Sequence, residues 1–313
     1  MDRGVRRGDG TVAVSCPHYA DNGPVGAPAL VFVGSLGTTL AMWEPQIREL
    51  SSRFRTIAVD LPGHGGTPVP EARCTVTGFA DDVVRLLDSI GVEQFAIVGL
   101  SFGGAVAQAL AAAYPDRVCA AVIACAAAQY SEEFWRTRAA HVRAEGLEEI
   151  VRLTAGRRFC PGFAEREPDT YAASLAMLAT TSPEGYAACC DALATYDARA
   201  LLPRITAPTL VIAGELDQVT PPRLAEQIAA LVPGARLRVI DGAGHLANVE
   251  QPEAFNAMVD QHLLNHEQLH PGRRQAARDT TSPAADRVPI SGTTAWADSH
   301  SRPTIVAPST SRT

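Results

Sequence analysis

The chain of 313 residues carries a net charge of −7, with 34 Asp and Glu against 27 Lys and Arg, and every one of those 27 cations is arginine. Without lysine, chemistry that depends on an amine is excluded: Schiff bases, Ser-Lys dyads and lysine-bearing phosphate loops. The acidic balance, with no clustered basic face, argues against a nucleic-acid or anionic-membrane partner.

At 46% hydrophobic and 19% charged residues, there is enough apolar material for one large α/β core or two smaller ones. The apolar run Ala120 to Ala128 is too short to span a bilayer, and Met1 to Ser15 lacks the apolar h-region of a secretory signal. A cytoplasmic protein is expected. The 7 cysteines are an odd number without zinc-type spacing, so they read as reduced thiols, with Cys189 and Cys190 as packing residues.

In chain order, Thr11 to Tyr19 and Ala29 to Val33 read as strands, Met42 to Leu50 as a helix, and Arg55 to Asp60 as a strand ended by the turn Pro62-Gly63-His64-Gly65. Ala80, Val83, Val84, Leu87 and Ile90 fall at helical spacing before a Gly91 stop. The strand Phe95 to Val98, an Ala-rich helix Phe102 to Tyr114 and the strand Val118 to Cys125 follow. From 129 to 200 the pattern turns to three or four amphipathic helices without a strand, which reads as an inserted helical cap. Thr209 to Ala213, Pro222 to Leu231, Arg236 to Ile240 and Pro252 to Leu264 resume the β/α rhythm. Such alternation with continuous apolar strands requires a mostly parallel sheet covered on both faces. The expected organisation is a core of 1–128 and 201–266, a cap of 129–200 and a disordered tail of 267–313, rich in Ser, Thr, Pro and Arg.

Gly99-Leu100-Ser101-Phe102-Gly103-Gly104 lies at a strand-to-helix junction, the context of a nucleophile elbow. The sharp turn strains the serine backbone, and a Cβ two positions before or after it would collide with neighbouring backbone. A serine at its ordinary pKa is a weak nucleophile, so a histidine must reach it and an acid must fix that histidine's tautomer. The chain order on this kind of sheet is Ser, acid, His. Of the later histidines only His245 stands on a small-residue loop after a strand, in Asp241-Gly242-Ala243-Gly244-His245. Asp217 follows the strand Thr209 to Ala213, with Glu215 as its nearest rival. Asp60 and His64 read as residues that hold the Pro62-Gly63-His64-Gly65 turn. The amides of Phe102 and Leu36 are the candidate oxyanion donors. No His-x-His or His-Glu-x-x-His pair and no G-x-G-x-x-G helix start occurs, so neither a metal nor another cofactor is expected.

These motifs, with Ser35-Leu36-Gly37-Thr38, Met42-Trp43-Glu44-Pro45-Gln46, Trp135 before Arg138, Gly185-Tyr186-Ala187-Ala188-Cys189-Cys190 and Gly244-His245-Leu246-Ala247-Asn248, resemble the 3-oxoadipate enol-lactonases of the α/β-hydrolase superfamily. The match runs from about Thr11 to Leu264. The resemblance implies a mostly parallel eight-stranded sheet with helices on both faces and an inserted helical cap. It also implies Ser101, Asp217 and His245 as the triad, and hydrolysis of the enol-lactone formed late in aromatic-acid catabolism. That substrate carries a carboxylate. With lysine absent an arginine must meet it, and Arg138 and Arg157 are the candidates, with Ser35, Trp135 and Tyr186 lining the pocket. The chain departs from the family's usual pattern at Pro62, where arginine is usual, at Phe102, where leucine is commoner, and at Arg158, where tryptophan is common. Fold and triad do not fix the substrate, so a carboxylesterase, a thioesterase or another lactonase would use the same residues. A reading from another class is a non-catalytic protein of this fold that binds a small molecule.

Overall fold

The apolar runs of the sequence become the centre of a sheet, as the computed structural model of residues 16–265 shows. The strands are β1 (Tyr19–Asn22), β2 (Ala29–Val33), β3 (Arg55–Val59), β4 (Phe95–Leu100), β5 (Val118–Ala124), β6 (Thr209–Gly214) and β7 (Arg236–Ile240), in the spatial order β1-β3-β2-β4-β5-β6-β7. Only the β1–β3 pairing is antiparallel. Every residue of β2, β3, β4, β5 and β6 is buried, which is why all of these but β3, which opens on Arg55 and Thr56, read as largely continuous apolar runs rather than alternating ones.

Seven strands, not eight, are present among the described residues. The strand expected over Thr11 to Tyr19 falls partly outside them, and the pairing seen begins at Tyr19, opposite Val59. Pro17, which has no N–H to give to a ladder, stands just before it. The expectation for the tail falls outside the described residues.

On the sheet faces lie α1 (Glu44–Leu50), entered through a 3-10 turn at Leu40–Trp43, α2 (Val76–Ser89), α3 (Phe102–Ala113), α9 (Pro222–Leu231), α10 (Ala247–Glu250) and α11 (Pro252–Leu264). α3 is buried at all but its last residue. Its alanines and glycines let it lie close to the strands: an added Cβ at Gly103 would stand 1.9 Å from the Val33 carbonyl oxygen. One core layer packs α2, α3 and α9 against the sheet. The other gathers Phe32, Trp43 and Phe255, with ring centroids 5.0 and 6.1 Å from Trp43.

Between β5 and β6 the chain makes α4 (Glu132–Glu145), α5 (Glu148–Arg158), the short α6 (Phe163–Arg166), α7 (Pro168–Ala179) and α8 (Pro183–Ala194). The excursion is closed at its root, where Gln129 and Asp197 form an antiparallel bridge and Ala198 N–H donates to the Ala128 carbonyl (2.7 Å). α8 docks on the turn after β3. Gly185 lies so close to Gly63 that an added Cβ would sit 2.5 Å from the Gly63 Cα, and the neighbouring Tyr186 ring stacks on His64 at 6.5 Å. This contact explains why Gly185 and Tyr186 occur together. Cys189 and Cys190 are fully buried in the same packing.

Candidate active site

The elbow forms where β4 meets α3. Ser101 adopts φ 60° and ψ −111°, a left-handed conformation that costs of order 1–3 kcal/mol in a non-glycine residue. Close packing enforces it: a Cβ at Gly99 would lie 2.0 Å from the Gly103 carbonyl oxygen, so the turn closes only without one. The strain lifts the serine to the C-terminal edge of the sheet, at the start of α3.

Asp217 and His245 come from the loops after β6 and β7. His245 Nδ1 donates to Asp217 Oδ2 at 2.8 Å, and both side chains are almost completely buried. The carboxylate is fully satisfied. Val219 N–H (2.7 Å) and Thr220 N–H (2.8 Å) donate to Oδ1, and the Thr220 hydroxyl donates to Oδ2 (2.7 Å). Burial opposes the charged form of Asp217, but His245 and the Thr220 hydrogen bonds outweigh it and hold the carboxyl below the ordinary range. Glu215, the rival acid, instead accepts from Gly242 N–H at 2.8 Å on an exposed turn.

The loop after β2 places Ser35 and Leu36 beside the elbow, both buried. Neither the Leu36 amide nor the Phe102 amide donates to another protein group among the described residues. His64 locks this loop. Its Nδ1 donates to the Pro62 carbonyl and its Nε2 accepts from Gly37 N–H, each at 2.9 Å. That pattern needs a neutral ring, and burial lowers the His64 pKa to about 4. Asp60 holds the same turn as expected, accepting from Gly66 N–H (3.0 Å), Leu40 N–H (2.6 Å) and His18 Nδ1 (2.7 Å).

Ser101 and His245 open on one cavity of about 210 Å³, about seven water molecules' share of liquid volume, which suits a small metabolite. All the other residues expected in the pocket line it: Ser35, Leu36, Trp135, Arg138, Arg157 and Tyr186. Arg138 is half-buried, its guanidinium 4.8 Å from the Phe134 ring centroid and 5.6 Å from that of Trp135. Arg157 is exposed and donates to the Gln218 carbonyl at 3.2 Å.

Three contributors were given no site role by the sequence, although Arg158 stood out as a departure from the family's pattern. Thr220 follows Asp217 at the spacing of a side-chain-capped turn, a signal that was available. Glu250 accepts from Gly244 N–H (2.9 Å) and Cys160 N–H (2.7 Å), tying the His245 loop to the helical segment, and Arg158 joins it there. The Arg158 carbonyl accepts from the His245 and Leu246 amides (2.9 and 3.2 Å), and its guanidinium donates to the Leu36 carbonyl. No local pattern marks these two, because each acts across elements distant in sequence.

The family model described as the alpha/beta hydrolase fold matches residues 28–252. The chain is 39% identical over 244 residues to 3-oxoadipate enol-lactonase 2 of Acinetobacter baylyi, covering 78% of this chain and 91% of that protein. It is 38% identical over 235 residues to 3-oxoadipate enol-lactonase 1 of the same organism, covering 75% and 88%. Among solved structures, the enol-lactonase from Burkholderia xenovorans superposes with a TM-score of 0.77 at 35% identity, over 79% of this chain and 96% of that one. A family match across most of the chain, an elbow at the edge of a mostly parallel sheet and relatives this similar over nearly their whole length lead to one conclusion: the chain belongs to the α/β-hydrolase family, among the 3-oxoadipate enol-lactonases.

Proposed function

We propose that the protein hydrolyses 3-oxoadipate enol-lactone to 3-oxoadipate, with Ser101 as nucleophile, His245 as general base and acid, and Asp217 as the group that fixes the histidine. The buried Asp217–His245 pair opening on the same cavity as a strained Ser101 is the observation that carries the chemistry. Similarity to enol-lactonases supports the substrate.

His245 Nε2 takes the Ser101 proton as Oγ attacks the lactone carbonyl, while Asp217 stabilises the imidazolium through Nδ1. The Leu36 and Phe102 amides receive the oxyanion. Collapse breaks the ring C–O bond and expels an enolate, which takes up the proton held by His245 as it ketonises, leaving an acyl-enzyme and a neutral imidazole. Water, deprotonated by His245, then attacks the acyl carbon, and the Ser101 oxygen leaves with the proton. We assign residues 129–200 to a cap that supplies recognition through Trp135, Tyr186 and the arginines, over a hydrolase core of 1–128 and 201–266. We place the protein in the cytoplasm, reading its cysteines as reduced thiols.

Purified protein should hydrolyse p-nitrophenyl acetate, and Ser101→Ala should lower kcat by about 10⁴ to 10⁶; undiminished turnover by that variant refutes the triad. Opening of the enol-lactone, followed by its ultraviolet absorbance, should be faster than hydrolysis of the simple ester. Equal or slower lactone turnover favours a general carboxylesterase instead.

A further inference from the structure

Buried arginines almost always have a carboxylate partner, because removing the charge from water costs several kcal/mol unless something compensates. Arg158, at the C-terminus of α5, is only 4% exposed and has no such partner. One arm, Nη2, donates to the Leu36 carbonyl; the other, Nη1, is buried without any hydrogen-bond acceptor. The residue lines the cavity that holds Ser101 and His245, and no Asp or Glu lines that cavity among the described residues. Arg138 and Arg157 line it too, and none of the three arginines is in an ion pair among the described residues. They form a gradient from solvent inward: Arg157 exposed, Arg138 half-buried on aromatic rings, Arg158 buried. Burial, with the like charge of Arg138, holds the Arg158 guanidinium below its ordinary range, but such a group remains a cation at neutral pH.

We propose that Arg158 receives the carboxylate of an anionic substrate, the side chain turning so that the unpaired Nη1 arm, closed off from the cavity in this structure, supplies a charge-assisted hydrogen bond. This inference rests on reading the cavity as the hydrolytic site. The Nη2 contact with Leu36 makes the same side chain a brace for the oxyanion loop, so a carboxylate seated on Arg158 lies one residue from the groups that hold the reacting carbonyl. Arg138 and Arg157, more accessible and already occupied by ring faces or a carbonyl, draw the anion inward and contribute less once it is bound. The selectivity expected is for small esters or lactones with a free carboxylate a few bonds from the carbonyl.

The test uses two matched esters, p-nitrophenyl butyrate, which is neutral, and the mono-p-nitrophenyl ester of glutaric acid, which ends in a carboxylate. Any effect of Arg158 through Leu36 is common to both and cancels in the ratio of their kcat/KM values. Arg158→Gln should lower the ratio of anionic to neutral ester by about tenfold to a hundredfold, mainly through KM for the anionic ester. Arg158→Lys should restore part of it, whereas Arg138→Gln and Arg157→Gln should move it less. An unchanged ratio in a folded R158Q protein overturns the proposal, as does a larger fall in R138Q. If R158Q does not fold, the wild type decides: glutarate should inhibit butyrate-ester hydrolysis competitively and its neutral diamide should not, and equal or absent inhibition overturns the proposal. The two readings fail separately. Enol-lactone turnover with an unmoved ratio removes Arg158 alone, and a fallen ratio without enol-lactone turnover removes that lactone but leaves the anion site.

Discussion

Replacing Asp217 by asparagine keeps the side-chain volume and removes the charge. Oδ1 accepts the Val219 and Thr220 amides at 2.7 and 2.8 Å, so the oxygen of the new carboxamide must stay there. Its NH₂ then occupies the place of Oδ2, 2.8 Å from His245 Nδ1 and 2.7 Å from the Thr220 hydroxyl. An amide NH₂ only donates, so Nδ1 must become the acceptor and the ring proton moves to Nε2. That is the nitrogen required to take the Ser101 proton. The imidazolium formed during attack also loses the buried anion beside it. Wrong tautomer and lost charge together should lower kcat by about 10⁴, or about 5 kcal/mol of transition-state stabilisation. Steady-state hydrolysis of p-nitrophenyl acetate at neutral pH, with the melting temperature measured alongside, is the assay. A kcat within about tenfold of wild type in a folded Asp217→Asn protein refutes the assignment of Asp217 as the residue that sets the tautomer.

Burial of neutral His64, with its pKa lowered to about 4, makes the folded state bind fewer protons than the unfolded chain below the ordinary histidine pKa near 6.5. Its contribution is therefore complete above pH ~6.5 and is lost as pH falls through about 4, a loss of about 3 kcal/mol. Denaturant titrations across that window should show His64→Gln with a shallower pH dependence than wild type, and equal slopes would contradict the burial argument. Gly185→Ala should cost about 1–3 kcal/mol and reduce activity, because its Cβ meets the Gly63 backbone at 2.5 Å. Gly156→Ala, in the interior of α5 with nothing within 4 Å of the new Cβ, should instead stabilise by about 0.5–1 kcal/mol. Thermal melts of the pair read both signs, and a shared sign would count against the packing explanation. Glu250→Ala, which frees the Gly244 and Cys160 amides, should lower kcat by up to about a hundredfold by loosening the His245 loop; unchanged turnover would show that the loop holds itself.

Much of this molecule was legible in its sequence because the deciding forces are local. Continuous apolar runs can only be central strands of a two-faced sheet, so β2, β4, β5 and β6 fall on the runs expected. The elbow was equally plain, since its two glycines answer contacts within a few residues of Ser101. His245 followed by elimination among few histidines, and Asp217 by its place after a strand. The bounds of the edge strand did not follow, because β1 is four residues long and half-exposed, without an apolar signature.

The arginines show where sequence stops. Composition alone determined that arginine is the permanently charged side chain available to meet an anion in this protein, because lysine is absent. The resemblance, with its carboxylated substrate, pointed to Arg138 and Arg157 among the arginines. Whether a given guanidinium is solvated, stacked on a ring or buried with an arm unpaired depends on which elements close over it. Adjacent residues on α5 have opposite fates: Arg157 faces solvent, and Arg158 turns inward beneath the Leu36 carbonyl. Helical geometry sends neighbours to different faces, and only the packing of that helix against the sheet's loops decides which of the two cavity-lining arginines is buried and which stays at the solvent edge.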